Sequence, residues 1–201
     1  LGESKSKGSG GAGGSNWNLP NALTVLRILL TPAIMHFLAD EEGRKKILAA
    51  SAVGGAALTD FLDGFIARRQ DQVTRLGQFL DPLADKCYIS SSFLVLAAKK
   101  RLPAWVPGVI IGREAAVTLF RLYARRRGSS VPASIWGKLK TNAQLLAIFL
   151  LIFHHPSPGY RRVEELSTVL AVALTLYSGV DYFRKAGRYL EGNSIRRTAE
   201  G

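Results

Sequence analysis

Asp60 and Asp63 are three residues apart, and Asp81 and Asp85 are four apart. On a helix, either spacing puts both carboxylates on one face. Four carboxylates packed this closely repel one another and resist leaving water. The donors are all oxygens, with no His or Cys among them, a set that suits hard cations such as Mg2+ or Mn2+. Apolar segments flank the stretch on both sides. An Asp at the centre of a membrane-spanning helix costs about 2.5–3.5 kcal/mol, and a divalent ion held between the acids is the simplest compensation. Gly64 and Ala67 share a face with Asp60 and leave room beside it. Arg68 is the nearest fixed cation, suited to a phosphate oxygen. Gly77 opens the helix next to Asp81. The pattern describes a metal–diphosphate site with a groove for a flat or extended ligand. Ion pairing with neighbouring arginines would explain one Asp–Arg pair better than four acids at two same-face spacings.

A second group of charges lies further along the chain. Arg113 and Arg121 are eight residues apart, about two turns, and share a face. Arg113 lies deep in an apolar segment, where a partner is required, and Glu114 or a ligand could supply it. Lys138 and Lys140 enter the next segment from the same side as the acidic site. The four cations could form a pocket for an anionic acceptor such as a phosphate monoester. For the two lysines, anchoring at a membrane boundary is the competing explanation.

The elements that position these residues follow from hydropathy. The chain has 201 residues, 27 Lys+Arg against 15 Asp+Glu, and a net charge of +12. Hydrophobic residues make up 47% and the mean hydropathy is +0.10, averages that would suit a soluble protein. The averages conceal an alternation of long apolar runs with basic clusters such as Lys99–Arg101 and Arg125–Arg127. A soluble helical bundle would spread its charges along polar faces, whereas charges gathered at segment ends fit a bilayer-crossing protein, and no nucleic-acid partner is expected. A bilayer crossing needs about 20 helical residues. Six candidates occur, at about Pro20–Ala39, Lys46–Arg69, Leu76–Ala98, Pro103–Arg127, Ile135–His155 and Glu164–Leu190. The expected fold class is therefore all-α, a polytopic membrane protein with six transmembrane helices.

Residues 1–15 read as an artificial Gly/Ser-rich linker expected to take no fixed structure. Residues 16–190 form the six-helix catalytic domain and 191–201 a polar C-terminal tail. No cleavable signal peptide is evident, and Trp17 is expected at the membrane interface. An even number of spans puts both termini on one side. The links on that side are the more basic, which places them and the acidic site in the cytoplasm. Small residues at Gly54–Ala57 allow close helix–helix approach. Cys87 is assigned to packing, and His36, His154 and His155 to helix ends or packing.

The pattern Asp-x2-Asp-Gly-x2-Ala-Arg-x8-Gly-x3-Asp-x3-Asp, from Asp60 to Asp85, resembles the signature of the CDP-alcohol phosphotransferases, with every fixed position filled. The six-span plan resembles that family too. The resemblance implies that Asp60, Asp63, Asp81 and Asp85 hold two divalent ions, Mg2+ or Mn2+, and that Asp85 is also the general base. It implies that Gly64, Arg68, Thr74 and Gly77 contact the cytidine diphosphate. The run Pro20-Asn21-Ala22-Leu23-Thr24-x-x-Arg27 is similar to the segment preceding the signature in the family, so Asn21 and Thr24 are further candidates for binding CDP-diacylglycerol. Arg113-Glu114 followed by Trp136-x-Lys138-x-Lys140-Thr141-x-x-Gln144 resembles the bacterial phosphatidylglycerophosphate synthase branch. That branch joins the phosphatidyl group to glycerol 3-phosphate and releases CMP. Arg113, Arg121, Lys138 and Lys140 would then hold the acceptor phosphate. The cardiolipin synthase branch, with phosphatidylglycerol as acceptor, shares much of the pattern. The resemblance further implies a homodimer in the bacterial inner membrane, among its lipids. An intramembrane prenyltransferase would keep its acidic motifs far apart in sequence. A non-catalytic divalent-cation carrier would need its acids near the bilayer midplane.

Overall fold

A computed structural model describes the backbone of residues 19–40, 42–70, 75–126 and 134–199, and the side chains at 22, 24–40, 42–59, 86–124 and 134–188. The described chain consists of six helices without strands: α1 (Leu19–Ala39), α2 (Gly43–Gln70), α3 (Arg75–Ala98), α4 (Trp105–Arg126), α5 (Ile135–Ile152) and α6 (Pro158–Ala199). Each corresponds to one predicted segment.

The boundaries that differ have local causes. Helix α5 ends at Ile152, with Phe153 as its C-cap. His154 thereby leaves the helix, and its Nδ1 lies 2.9 Å from the Glu164 carboxylate of α6. The histidine expected at a helix end thus has an acidic partner there. Helix α6 begins at Pro158, whose missing N–H is harmless in a first turn. It continues through the polar tail to Ala199. Its 42 residues span about 63 Å at 1.5 Å per residue.

Helix α1 packs against both α2 and α3, and α6 packs against both α4 and α5. The two groups meet where α3 touches α4 and α5, and where α2 touches α5. The shared core draws on all six helices, with Ile34, Val53, Phe93, Ile110, Ile148 and Ala171 all fully buried. The expected close approach in the small-residue run occurs at Gly54. A Cβ there would lie 3.2 Å from Phe149 Cζ of α5, whereas one at Gly55 would meet nothing. The α1–α2 link is closed by an ion pair between Lys45 and Asp40. That bond raises the Lys45 pKa above its usual value.

Polar and apolar residues are partly reversed relative to a water-soluble bundle. Thr24, Ser92, Gln144 and Thr175 are fully or almost fully buried, while Leu29, Leu119 and Leu166 are each about two-thirds exposed. Gln144, Thr175 and Ser92 are satisfied within the helices or between them. Gln144 Nε2 donates to Thr175 Oγ1 at 2.9 Å, and Ser92 Oγ donates to the Tyr88 carbonyl at 2.7 Å. Among the described residues, Ile135–Ile152 and Pro158–Arg188 are long and apolar enough to cross a bilayer. Thr24–Ala39 and Lys86–Ala98 are shorter apolar stretches.

Candidate active site

The acidic signature lies on helical backbone, so the two spacings have the geometric meaning assigned to them. Asp60 and Asp63 fall in the last turns of α2, and Asp81 and Asp85 in the first half of α3. The side chains of these four residues and of Asn21, Arg68 and Gln70 lie outside the described residues. The surroundings of Gly64 and Gly77 do so as well, and Thr74 lies wholly outside. Thr24 is described: it is fully buried on α1, one turn before Arg27. Arg27 is also buried, and its Nη2 donates to Thr59 Oγ1 at 3.5 Å. A guanidinium from α1 therefore reaches the residue next to Asp60. A donor set of four carboxylates in this helical register fits Mg2+ or Mn2+ by its chemistry.

The second cluster is described in full. A cleft of about 590 Å³ is lined by Arg113, Arg121, Lys138 and Lys140, all four predicted cations. Ala57, one turn before Asp60, and Lys86, next after Asp85, also line it. The cationic cleft thus borders both halves of the acidic signature.

Glu114 organises the floor of the cleft. Its Oε1 accepts from Arg113 Nη1 at 2.9 Å and from Lys140 Nζ, while Lys86 Nζ lies 3.7 Å from Oε2. One carboxylate thereby ties α3, α4 and α5 together. Lys86 also donates to Thr118 Oγ1, one turn further along α4. The side chains of Glu114, Arg113 and Lys140 are only 10%, 11% and 9% exposed. Breaking a pair buried to this degree typically costs about 3–5 kcal/mol, because the remaining charge has no water to replace its partner.

Helix α6 supplies the opposite wall. Arg113 Nη2 donates to Ser178 Oγ at 2.9 Å. A Cβ on Gly179 would lie 3.3 Å from Arg113 Cγ and 3.6 Å from Nε, so the glycine clears the path of that side chain. One turn on, Tyr182 is buried, with the Arg121 guanidinium 5.5 Å from its ring centroid, a cation–π distance. Ser134 starts α5 by accepting from Trp136 N at 3.3 Å and donates to Asp181 Oδ2 at 2.6 Å. That bond fastens the helix carrying Lys138 and Lys140 to α6.

The sequence pointed to the four cations and to Glu114 or a ligand as the partner of Arg113; the structure pairs it with Glu114. It did not indicate Lys86, Ser178, Gly179 or Tyr182 as neighbours. Lys86 had a usable signal in its position directly after Asp85. The α6 residues had none, since a contact across 65 positions leaves no periodic trace.

Six helices among the described residues, an acidic signature on two consecutive ones and an adjoining cationic cleft suit a helical phosphotransferase. The profile of the CDP-alcohol phosphatidyltransferase family matches residues 17–177, and the chain belongs to that family. It is similar to the CDP-diacylglycerol–glycerol-3-phosphate 3-phosphatidyltransferase of Bacillus subtilis, with 38% identity over 84% of this chain and 95% of the relative. It is equally similar to a probable phosphatidylglycerophosphate synthase of Mycobacterium tuberculosis, 38% identical over 90% of this chain and 87% of the relative. A Pseudomonas fluorescens enzyme with the same name as the Bacillus protein is 36% identical over 87% of this chain and 92% of the relative.

Proposed function

We propose that the chain transfers the phosphatidyl group from CDP-diacylglycerol to glycerol 3-phosphate, yielding phosphatidylglycerophosphate and CMP. The observation that carries this reading is the cleft that gathers Arg113, Arg121, Lys138 and Lys140 beside the acidic signature. With Lys86, five cations line it beside the one carboxylate of Glu114 among the described residues, a surplus of positive charge there. A phosphate monoester carries a charge of about −1.5 to −2 at neutral pH, which suits this surplus better than a singly charged phosphodiester. The monoester is glycerol 3-phosphate; the diester is phosphatidylglycerol, the acceptor of the cardiolipin branch. The names of the relatives agree with the choice.

In the reaction, Arg113, Arg121 and the lysines hold the acceptor phosphate and orient its free hydroxyl toward the signature helices. The hydroxyl oxygen bonds to the phosphorus bearing diacylglycerol, and Asp85 takes its proton. The bond from that phosphorus to the bridging oxygen breaks, and CMP leaves with the electron pair. Asp60, Asp63, Asp81 and Asp85 would hold two divalent ions, which when bound neutralise diphosphate charge. Asn21, Thr24, Gly64, Arg68, Thr74 and Gly77 form the proposed binding surface for the nucleotide lipid.

The lipid substrate calls for a membrane setting, and the outward leucines of α1, α4 and α6 support it. The reading is a six-span protein in a bacterial inner membrane, with the acidic site at the cytoplasmic boundary and two copies per assembly. The test is an acceptor screen on the purified chain with CDP-diacylglycerol, following CMP. Release with glycerol 3-phosphate is expected. Release with phosphatidylglycerol alone would move the chain to the cardiolipin branch, and no release with any alcohol would favour a cation carrier.

A further inference from the structure

The cations of the cleft are not equally available. Lys140 and Arg113 are committed to Glu114, and Arg113 also to Ser178. At the Arg121 end the pattern differs. The Tyr182 side chain is 3% exposed, and its hydroxyl has no hydrogen-bond partner among the described residues. The Nε atoms of Arg121 and Arg113 are buried without a partner as well. All three residues line the same cleft. An unpaired buried hydroxyl is destabilising and calls for an explanation. The Phe120, Phe183 and Arg121 side chains surround the Tyr182 ring, so the ring itself is well accommodated. Only its oxygen is unsatisfied.

We infer that the Tyr182 hydroxyl is a specificity-determining donor to the acceptor's phosphate, and that the anion seats at the Arg121–Tyr182 end of the cleft rather than at Lys140. The inference rests on the proposed acceptor reading and adds a residue and a location to it. Arg121 lies over the tyrosine ring, so a phosphate drawn to its guanidinium arrives beside Tyr182, and both groups then donate to the same anion. Ser178, one turn earlier on α6, keeps Arg113 in place beside them.

The test is Tyr182→Phe in the full chain, assayed for CMP release and for thermal unfolding with and without glycerol 3-phosphate. Loss of an unsatisfied hydroxyl should leave the unliganded protein at least as stable as the wild type. Loss of a charge-assisted donor should raise the KM for glycerol 3-phosphate by roughly 10- to 100-fold. The KM for CDP-diacylglycerol should stay within about twofold, and the thermal shift induced by glycerol 3-phosphate should shrink. A tyrosine with a purely structural role would instead lower stability and leave the acceptor KM unchanged, and that outcome overturns the inference alone. Wild-type protein that releases no CMP with glycerol 3-phosphate overturns the acceptor reading and this inference with it.

Discussion

Arg113 and Ser178 join α4 to α6 through a 2.9 Å hydrogen bond, beside Gly179, which clears room for the arginine. The bond fixes the direction of a guanidinium that would otherwise follow Glu114 alone. The cationic cleft is thus a product of helix packing as much as of charge.

Gly179→Ala tests that packing. Its Cβ would press on Arg113 at 3.3 Å and shift the side chain by a few tenths of an ångström. The KM for glycerol 3-phosphate should rise by roughly tenfold or less, with the KM for CDP-diacylglycerol unaffected. Initial rates at varied concentrations of each substrate separate the two effects.

Glu114→Gln leaves Arg113, Lys140 and Lys86 facing one another without their shared counter-charge. Stability should fall by about 3–5 kcal/mol. Glycerol 3-phosphate supplies negative charge to the same cleft, so it should raise the melting temperature of the variant more than that of the wild type. Thermal unfolding in detergent with and without the ligand measures both. A variant as stable as wild type would show that Glu114 does not hold the cations.

Asp85→Asn removes the proposed base. CMP release should fall by at least about a hundredfold, while the melting temperature and the binding of CDP-diacylglycerol change little. In the wild type, chelation should abolish CMP release, and addition of Mg2+ or Mn2+ should restore it. Activity that persists in a strong chelator would exclude the role given to the four aspartates.

The acidic signature and the six helices were legible in the sequence because they depend on local spacing and on apolar runs. Arg113, Arg121, Lys138 and Lys140 were legible for a related reason: cations inside apolar segments are conspicuous. The α6 wall was hidden because Ser178, Gly179 and Tyr182 are ordinary residues for a packed helix. Only the meeting of α6 with α4 gives them meaning. The length of α6 was underestimated as well. The apolar pattern stops near Leu190, but the backbone stays helical to Ala199, since Glu191–Ala199 contains no proline to stop it.

Ser134→Ala should destabilise the chain by about 1 kcal/mol through loss of the α5 cap. The same change cuts the link to Asp181, so Lys138 and Lys140 should lose order together. Faster hydrogen exchange across the first turn of α5, relative to its last, would record this.

Among the described residues, what α6 gives to the cleft lies between Ser178 and Tyr182, about one turn of helix. The acidic signature lies on α2 and α3. Variation between Ser178 and Tyr182 therefore reshapes one wall of the cleft without replacing any residue of the signature, while the cations of α4 and α5 keep their places.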